Sequence, residues 1–280
     1  MSSSKVVLIT GSNKGIGYGI VETLLEKKST LKIILSARNN ELGEKSYNEL
    51  CKKYPSEKNH FYYHQLDITK NDSIENLISW LKKNFGQIDY LVNNAGVATH
   101  GDAFNIDVCN STFEVNVYGT INFTEFLLKE NMIKKSGKII LVGSCSGFLN
   151  KLKSDDLKNG FKNAKNYKEL IEMGEKFKKS ILNDSVEKDG WCKNTYSVSK
   201  MIVNSYARVL ALRDEIKNND ISVYAAHPGW VKTDMAGPKA PLTIKEGAEN
   251  EVFLIELPDG IKEEYQGKYF DKCKVTSFED

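Results

Sequence analysis

Short apolar runs alternate with longer amphipathic stretches along most of the chain. Val6–Ile9, Leu31–Ala37, Phe61–Leu66, Asp89–Val92, Gly137–Val142 and Ile221–Ala226 are the apolar runs, with a last short one at Lys268–Asp271. They are largely β-branched, which suits strands buried on both faces. Between them, helical periodicity runs through about Gly15–Lys28, Glu41–Tyr54, Asn71–Phe85, Thr112–Met132, Tyr196–Ile216 and Ile244–Ile255. The repeated β-α order predicts an α/β architecture: one doubly wound parallel sheet of about seven strands with helices on both faces.

One stretch breaks the rhythm. Residues 148–193 are rich in Lys, Asn, Glu and Asp, and their apolar positions (Leu157, Phe161, Tyr167, Leu170, Ile171, Phe177, Ile181 and Leu182) are only weakly periodic. A segment this polar cannot hold a core of its own. It reads as an insertion with one or two short amphipathic helices, inside a single domain spanning residues 1–280.

Composition adds little to that picture. Hydrophobic residues make up 40% of the chain and charged residues 27%, with a formal net charge of +2, all ordinary for a soluble globular protein. The balanced charge argues against nucleic acid or a membrane surface as the main partner. No apolar run reaches the ~18–20 residues of a membrane span. The first residues lack the apolar stretch of a secretory signal, so the cytoplasm is the expected location. Five scattered cysteines without a CxxC pair read as reduced thiols, and four scattered histidines give no metal-ligand set.

Candidate chemistry gathers at the C-terminal ends of the strands, the ligand-binding edge of an open α/β sheet. Gly11-Ser12-Asn13-Lys14-Gly15-Ile16-Gly17 joins the first strand to the first helix. Glycines there let backbone approach a pyrophosphate, and the helix start supplies N–H donors and a positive dipole end. The spacing is GxxxGxG, a variant of the commoner GxGxxG. A carboxylate ending the second strand would hold the ribose 2′-hydroxyl of NAD; Arg38 stands there instead. With Lys14 in the glycine loop, two cations can meet a 2′-phosphate, which predicts NADPH as cofactor. Asp67-Ile68 ends the third strand, where a carboxylate can meet an adenine amino group. Asn94-Ala95-Gly96 ends the fourth with side chains that allow close passage of the cofactor.

Tyr196 and Lys200 open a helix at positions i and i+4, on one face. A free tyrosine titrates at about 10, and a neighbouring ammonium favours its phenolate. Tyr196 can then give a proton to a carbonyl oxygen as hydride reaches carbon, or take one from an alcohol in reverse. Ser144, just after the fifth strand, is placed to hold the substrate oxygen against the phenol. Asn116 fits a structural amide that holds a water beside Lys200.

TGxxxGIG at Thr10–Gly17, Asn93-Asn94-Ala95-Gly96, Asn116, Ser144, Tyr196 with Lys200, and Pro228-Gly229 followed by Val231, Thr233 and Asp234 together resemble the short-chain dehydrogenase/reductase family, from Val6 to Phe270. The resemblance implies a Rossmann-like sheet and an Asn116–Ser144–Tyr196–Lys200 catalytic tetrad. It also implies cofactor contacts from Tyr196, Lys200, Pro228, Gly229, Val231 and Thr233. Asn13-Lys14 with Arg38, the long segment between Ser144 and Tyr196, and the run Pro228–Ala240 resemble the monomeric NADPH-dependent carbonyl reductases of that family. In that group the insertion covers helices that tetrameric members use for association, which implies a monomer. Ser144, Cys145, Tyr196, Trp230 and Met235 match positions lining the pocket for a small carbonyl substrate. His227 stands where animal members commonly carry cysteine, so no thiol is carried over at that point. The expected reaction is NADPH-dependent reduction of a ketone, aldehyde or quinone. Two rival readings stay open: an oxidoreductase dedicated to one alcohol, steroid or specialised-metabolite ketone, and a cofactor-binding regulatory protein without catalysis.

Overall fold

The computed structural model describes residues 4–99 and 103–279. Its first half runs β1 (Val6–Ile9), α1 (Gly15–Glu26), β2 (Lys32–Ala37), α2 (Asn40–Lys53), β3 (Phe61–Gln65), α3 (Asn71–Asn84) and β4 (Ile88–Asn93). Next come α4 (Ile106–Phe113), a π-helical turn (Glu114–Gly119), α5 (Thr120–Lys129) and β5 (Ile133–Val142). The insertion supplies α6 (Asp155–Asn163) and α7 (Tyr167–Leu182). The chain closes with α8 (Thr195–Ala211), α9 (Asp214–Asn218), β6 (Ser222–His227), α10 (Ile244–Glu256), β7 (Tyr269–Asp271) and β8 (Lys274–Thr276). The strands lie in the order β3-β2-β1-β4-β5-β6-β7-β8, parallel except for the last pair. This is the Rossmann-like, doubly wound sheet expected from the pattern.

Burial explains why the strands read as unbroken apolar runs. Leu8 and Ile34 enter a core shared with α3, α5 and α8, whereas their neighbours Val7 and Ile33 enter a second core under α1, α2 and α10. Every position of β1 therefore leaves water. α8 is buried on nearly all sides, which makes it the central element of the first core.

The structure corrects several boundaries. An eighth strand extends the expected seven. β8 is exposed at all three positions, so no apolar run announced it; Lys272 and Cys273, both at positive φ, turn the chain back, as a two-residue hairpin requires. The stretch expected as one helix over Thr112–Met132 starts earlier and is interrupted by the π-helical turn. There the Asn116 side chain bonds the backbone of Val97 and the hydroxyl of Ser199. The helix expected to reach Ile216 ends at Ala211, and α9 begins after Arg213, whose guanidinium pairs with Glu125 and Glu215.

The insertion resolves into two capped helices. Ser154 caps α6 and Asn166 caps α7 through their side-chain oxygens. Phe161, Leu170, Phe177 and Trp191 carry the insertion into the same core as the sheet. The rings of Phe177 and Trp191 lie 5.3 Å apart. Arg208 of α8 donates to the carbonyls of Phe161 (2.8 Å) and Ala164 (3.0 Å), so a cation meets the negative end of α6. If the insertion shares the main core, Trp191→Ala lowers the unfolding free energy by about 3–5 kcal/mol in urea denaturation, in one transition. A separate early transition, or no measurable loss, would show that the segment is held independently.

Candidate active site

The ends of β1 and β4 are cross-linked. The Thr10 hydroxyl accepts the N–H groups of Asn94 and Ala95, both at 3.0 Å, and the Asn94 amide donates to the carbonyls of Thr10 (2.8 Å) and Gly11 (3.0 Å). This packs the glycine loop tightly onto β4. Gly11 has φ +60°, and a Cβ there would lie 2.9 Å from Ala95 Cα; a Cβ at Gly17 would lie 2.4 Å from the Asn94 amide nitrogen. Among the described residues no side chain caps α1, and no acidic residue occupies its first turn, so its opening N–H groups suit an anion. The chemistry of that cradle, open helix N–H groups and closely packed backbone, suits a dinucleotide pyrophosphate.

The other expected cofactor residues are placed as follows. Ser12 is committed internally: its N–H and its hydroxyl bond the backbone of Ser36 and Ile9. Asn13 offers its carbonyl to Ser46. Lys14 forms a 2.8 Å ion pair with Asp234, with both side chains exposed. Gly15 faces Thr233, whose methyl would lie 3.5 Å from a Cβ there, and Ile16 lies with Val231 beside Gly247. The glycine loop and the loop after β6 therefore confront each other across the strand ends. That second loop is held by a bridge between Val231 and Leu242, with Pro228 and Gly229 part-buried at its root. Arg38 is exposed at the end of β2. Asp67 accepts from the N–H and hydroxyl of Thr69, and Ile68 is buried beside Gly119.

Tyr196 and Lys200, expected to do chemistry, share one face of α8 with Asn204, which holds Ser144 against the helix. Tyr196, Lys200 and Asn204 recur every four residues and so point the same way. The Lys200 ammonium donates to the carbonyl of Val142, the last residue of β5, at 2.7 Å. Asn204 accepts from the N–H of Ser144 (3.3 Å) and donates to the carbonyls of Ser144 (3.1 Å) and Gly147 (3.2 Å). Ser144 lies close enough to the Tyr196 phenol to act on its titration, and Lys200 Nζ lies 5.8 Å from the Tyr196 ring centre. Gly96 completes the ring: a Cβ there would sit 3.3 Å from Asn116 Oδ1 and 3.7 Å from Lys200 Nζ. The Asn116 side chain is bonded to the backbone of Val97 and to the hydroxyl of Ser199.

Burial dominates the electrostatics. It pushes the Tyr196 phenol up to about 12, against the neighbouring Ser144 hydroxyl, which lowers it. It pulls Lys200 down to about 8, against the buried carboxyl of Glu251, which raises it. On the loop after β6, Trp230 (55% exposed) and Met235 (40% exposed) present large apolar surfaces to solvent. Cys145 is exposed, and its N–H donates to His227 Nδ1 at 3.4 Å.

Ser199 and Asn204 escaped the sequence reading, and Thr10 entered it only as the first residue of the glycine motif. Asn204 carries a signal that could have found it: an amide four residues beyond Lys200, on the same helix face as Tyr196. Thr10 and Ser199 act through backbone and side-chain partners far away in sequence, so spacing alone does not mark them.

The class defined by this fold and site is clear from comparison: residues 5–153 match the short chain dehydrogenase family, and the chain belongs to it. Its relatives include carbonyl reductase [NADPH] 1 of Sus scrofa, 37% identical over 99% of this chain and 95% of the relative. Carbonyl reductase [NADPH] 3 of Rattus norvegicus is 35% identical over 98% and 99%. Among solved structures, salutaridine reductase from Papaver somniferum superposes with a TM-score of 0.82 at 25% identity, over 95% of this chain and 99% of that one.

The glycine cradle yields a direct test. Gly17→Ala places a methyl against the Asn94 amide, so NADPH affinity in a fluorescence titration should fall at least about tenfold, roughly 1.4 kcal/mol. Unchanged affinity would mean that the loop is not the pyrophosphate site.

Proposed function

We propose that this chain reduces ketones, aldehydes or quinones with NADPH, and that Tyr196 is the proton donor. The observation that carries this reading is the Tyr196 phenol, next to Ser144 and backed by Lys200, on the strand edge where the glycine loop and the Val231–Thr233 segment face each other. The two relatives named as NADPH carbonyl reductases match nearly the whole chain and support it.

When bound, NADPH supplies the hydride. Arg38 and Lys14 are the cations for its 2′-phosphate, Lys14 exchanging Asp234 for the cofactor. Gly11 to Gly17 and the start of α1 take the pyrophosphate. Asp67 and Ile68 flank the adenine, Asn94 to Gly96 line the passage, and Pro228, Gly229, Val231 and Thr233 border the nicotinamide end. Ser144 and Tyr196 hold the substrate oxygen between two hydroxyls. The buried phenol stays protonated at neutral pH, which suits donation and hence reduction. Lys200 keeps a cation beside the phenolate that forms as the proton leaves. Asn116 braces this arrangement by tying α8 to Val97. Trp230, Met235 and Cys145 border the substrate pocket. A reductase dedicated to a single ketone would use the same machinery with a narrower mouth.

We also read residues 1–280 as one domain acting as a cytoplasmic monomer. α7 packs against α4 and α8, a face that would otherwise be open to a second copy. Among the described residues, no helix is long and apolar enough to cross a membrane.

The decisive assay follows NADPH oxidation across quinones, aromatic aldehydes, ketosteroids and alkaloid ketones, with NADH as control. Tyr196→Phe should lower kcat by about 10²–10⁴-fold while NADPH still binds; undiminished turnover would remove Tyr196 as the acid. The pH dependence has a definite sign. The reacting form carries protons on both Tyr196 and Lys200, so kcat/KM for reduction should be level at low pH and fall as Lys200 titrates at about 8. A rise through that range would contradict the assignment.

A further inference from the structure

The segment after β8 folds back onto the body of the protein and is held there at three points. The Phe278 ring is buried (5% exposed) in the core that α8 and the insertion share. The Phe278 carbonyl accepts the N–H of Leu149 at 2.9 Å. Beside it, the Glu279 carboxylate lies 3.8 Å from Nε of Arg208 on α8, the residue whose other guanidinium nitrogen holds the end of α6. Strand β8, just before, is exposed at all three positions, so Phe278 supplies the apolar anchor of this stretch.

Phe278 reaches the turn that carries the Ser144 hydroxyl. The chain turns through residues 144–149 directly after β5. The Ser144 hydroxyl accepts the N–H of Ser146 at 3.0 Å, and the Ser144 carbonyl accepts that of Gly147 at 2.9 Å. The accepted bond fixes the hydroxyl oxygen and leaves its proton to be donated, so the aim of the group depends on the shape of the turn. One set of holds comes from α8. The Asn204 amide donates to the carbonyls of Ser144 and Gly147, and a Cβ at Gly147 would lie 2.6 Å from the Lys200 carbonyl oxygen. The second set starts at Phe278. Its ring centre lies 5.8 Å from that of Tyr269, which meets Phe148 edge-on at 5.6 Å and stacks on His227 at 6.5 Å. His227 Nδ1 in turn accepts the N–H of Cys145 at 3.4 Å. Both ends of the turn, Cys145 and Phe148–Leu149, are thus tied to Phe278, through the Tyr269 ring and the Leu149 hydrogen bond.

We propose that Phe278 is a positioning residue for carbonyl reduction: it clasps the turn of residues 144–149 and so sets where the Ser144 hydroxyl and Cys145 meet the substrate. The proposal rests on reading the site as a reductase. The glycine loop is fastened separately, by Thr10 and Asn94 at the ends of β1 and β4, so the clasp acts on the substrate side of the site and not on the cofactor side. A positioned group that shifts by about 1 Å can lose about 10²-fold in rate, and a turn released from one of its two sets of holds gains that freedom.

The test compares the wild type with Phe278→Ala, which removes the ring and keeps the backbone carbonyl, and with Phe278→Leu, which keeps an apolar anchor without the ring. In Phe278→Ala, KM for a quinone or an aromatic aldehyde should rise about tenfold and kcat should fall, with NADPH affinity unchanged. Phe278→Leu should show the same shift to a smaller degree, and it carries the test should the alanine variant fold poorly. A purely structural residue would lower the melting temperature and the amount of active enzyme, hence the apparent kcat, and leave KM in place in both variants; that result overturns the proposal. A second readout is a double-mutant cycle with Phe148→Ala. Because both rings act on one turn, the rise in KM of the double variant should be smaller than the product of the two single rises; strictly multiplicative effects would contradict a shared clasp. A wild type that reduces no carbonyl would defeat the reductase reading itself; an active wild type whose KM is unmoved in the variants defeats this proposal alone.

Discussion

The site depends on how α8 is fastened to the end of β5. Lys200 donates to the carbonyl of Val142, and Asn204 bonds the N–H and the carbonyl of Ser144. Through these contacts the helix that carries Tyr196 and the strand end that carries Ser144 become one rigid body. The two hydroxyls are then set by backbone geometry, and little freedom is left to the side chains. Preorganisation of this kind places reacting groups before the substrate arrives, so the cost of ordering them is met during folding.

The cofactor side is built on the same principle at the neighbouring strand ends. Thr10 and Asn94 lock β1 to β4, and the glycine loop lies flat on the joint. Asn116 then ties the loop after β4 to α8 through Val97 and Ser199. The π-helical turn accompanies that contact: a regular helix is interrupted where one side chain must bridge two elements, a common feature of functional sites. The chain of contacts runs from the glycine loop through β4 and α8 to β5, so cofactor and substrate positions share one framework.

Much of this was legible because it is local. Strand runs such as Val6–Ile9 show their burial in composition alone, and the Tyr196–Lys200 pair follows from helix geometry. What escaped is long-range or conveyed by polar residues. β8 is polar and exposed, and only its hairpin turn reveals it. The insertion reads as too polar for a core, yet Phe161, Phe177 and Trp191 are buried because the sheet-side core receives them, while Leu182 in the same segment stays 68% exposed. Glu251 escaped because its chemistry is polar, although its spacing from Ala248, Leu254 and Ile255 puts it on the inward face of α10.

The most direct measurement is a crystal structure with NADP+ and an unreactive carbonyl ligand. The account predicts the ligand oxygen within hydrogen-bond reach, about 2.6–3.2 Å, of both Ser144 Oγ and Tyr196 Oη, with Lys200 still bonded to Val142. A ligand oxygen seated away from both hydroxyls, or an α8 detached from the end of β5, would contradict it.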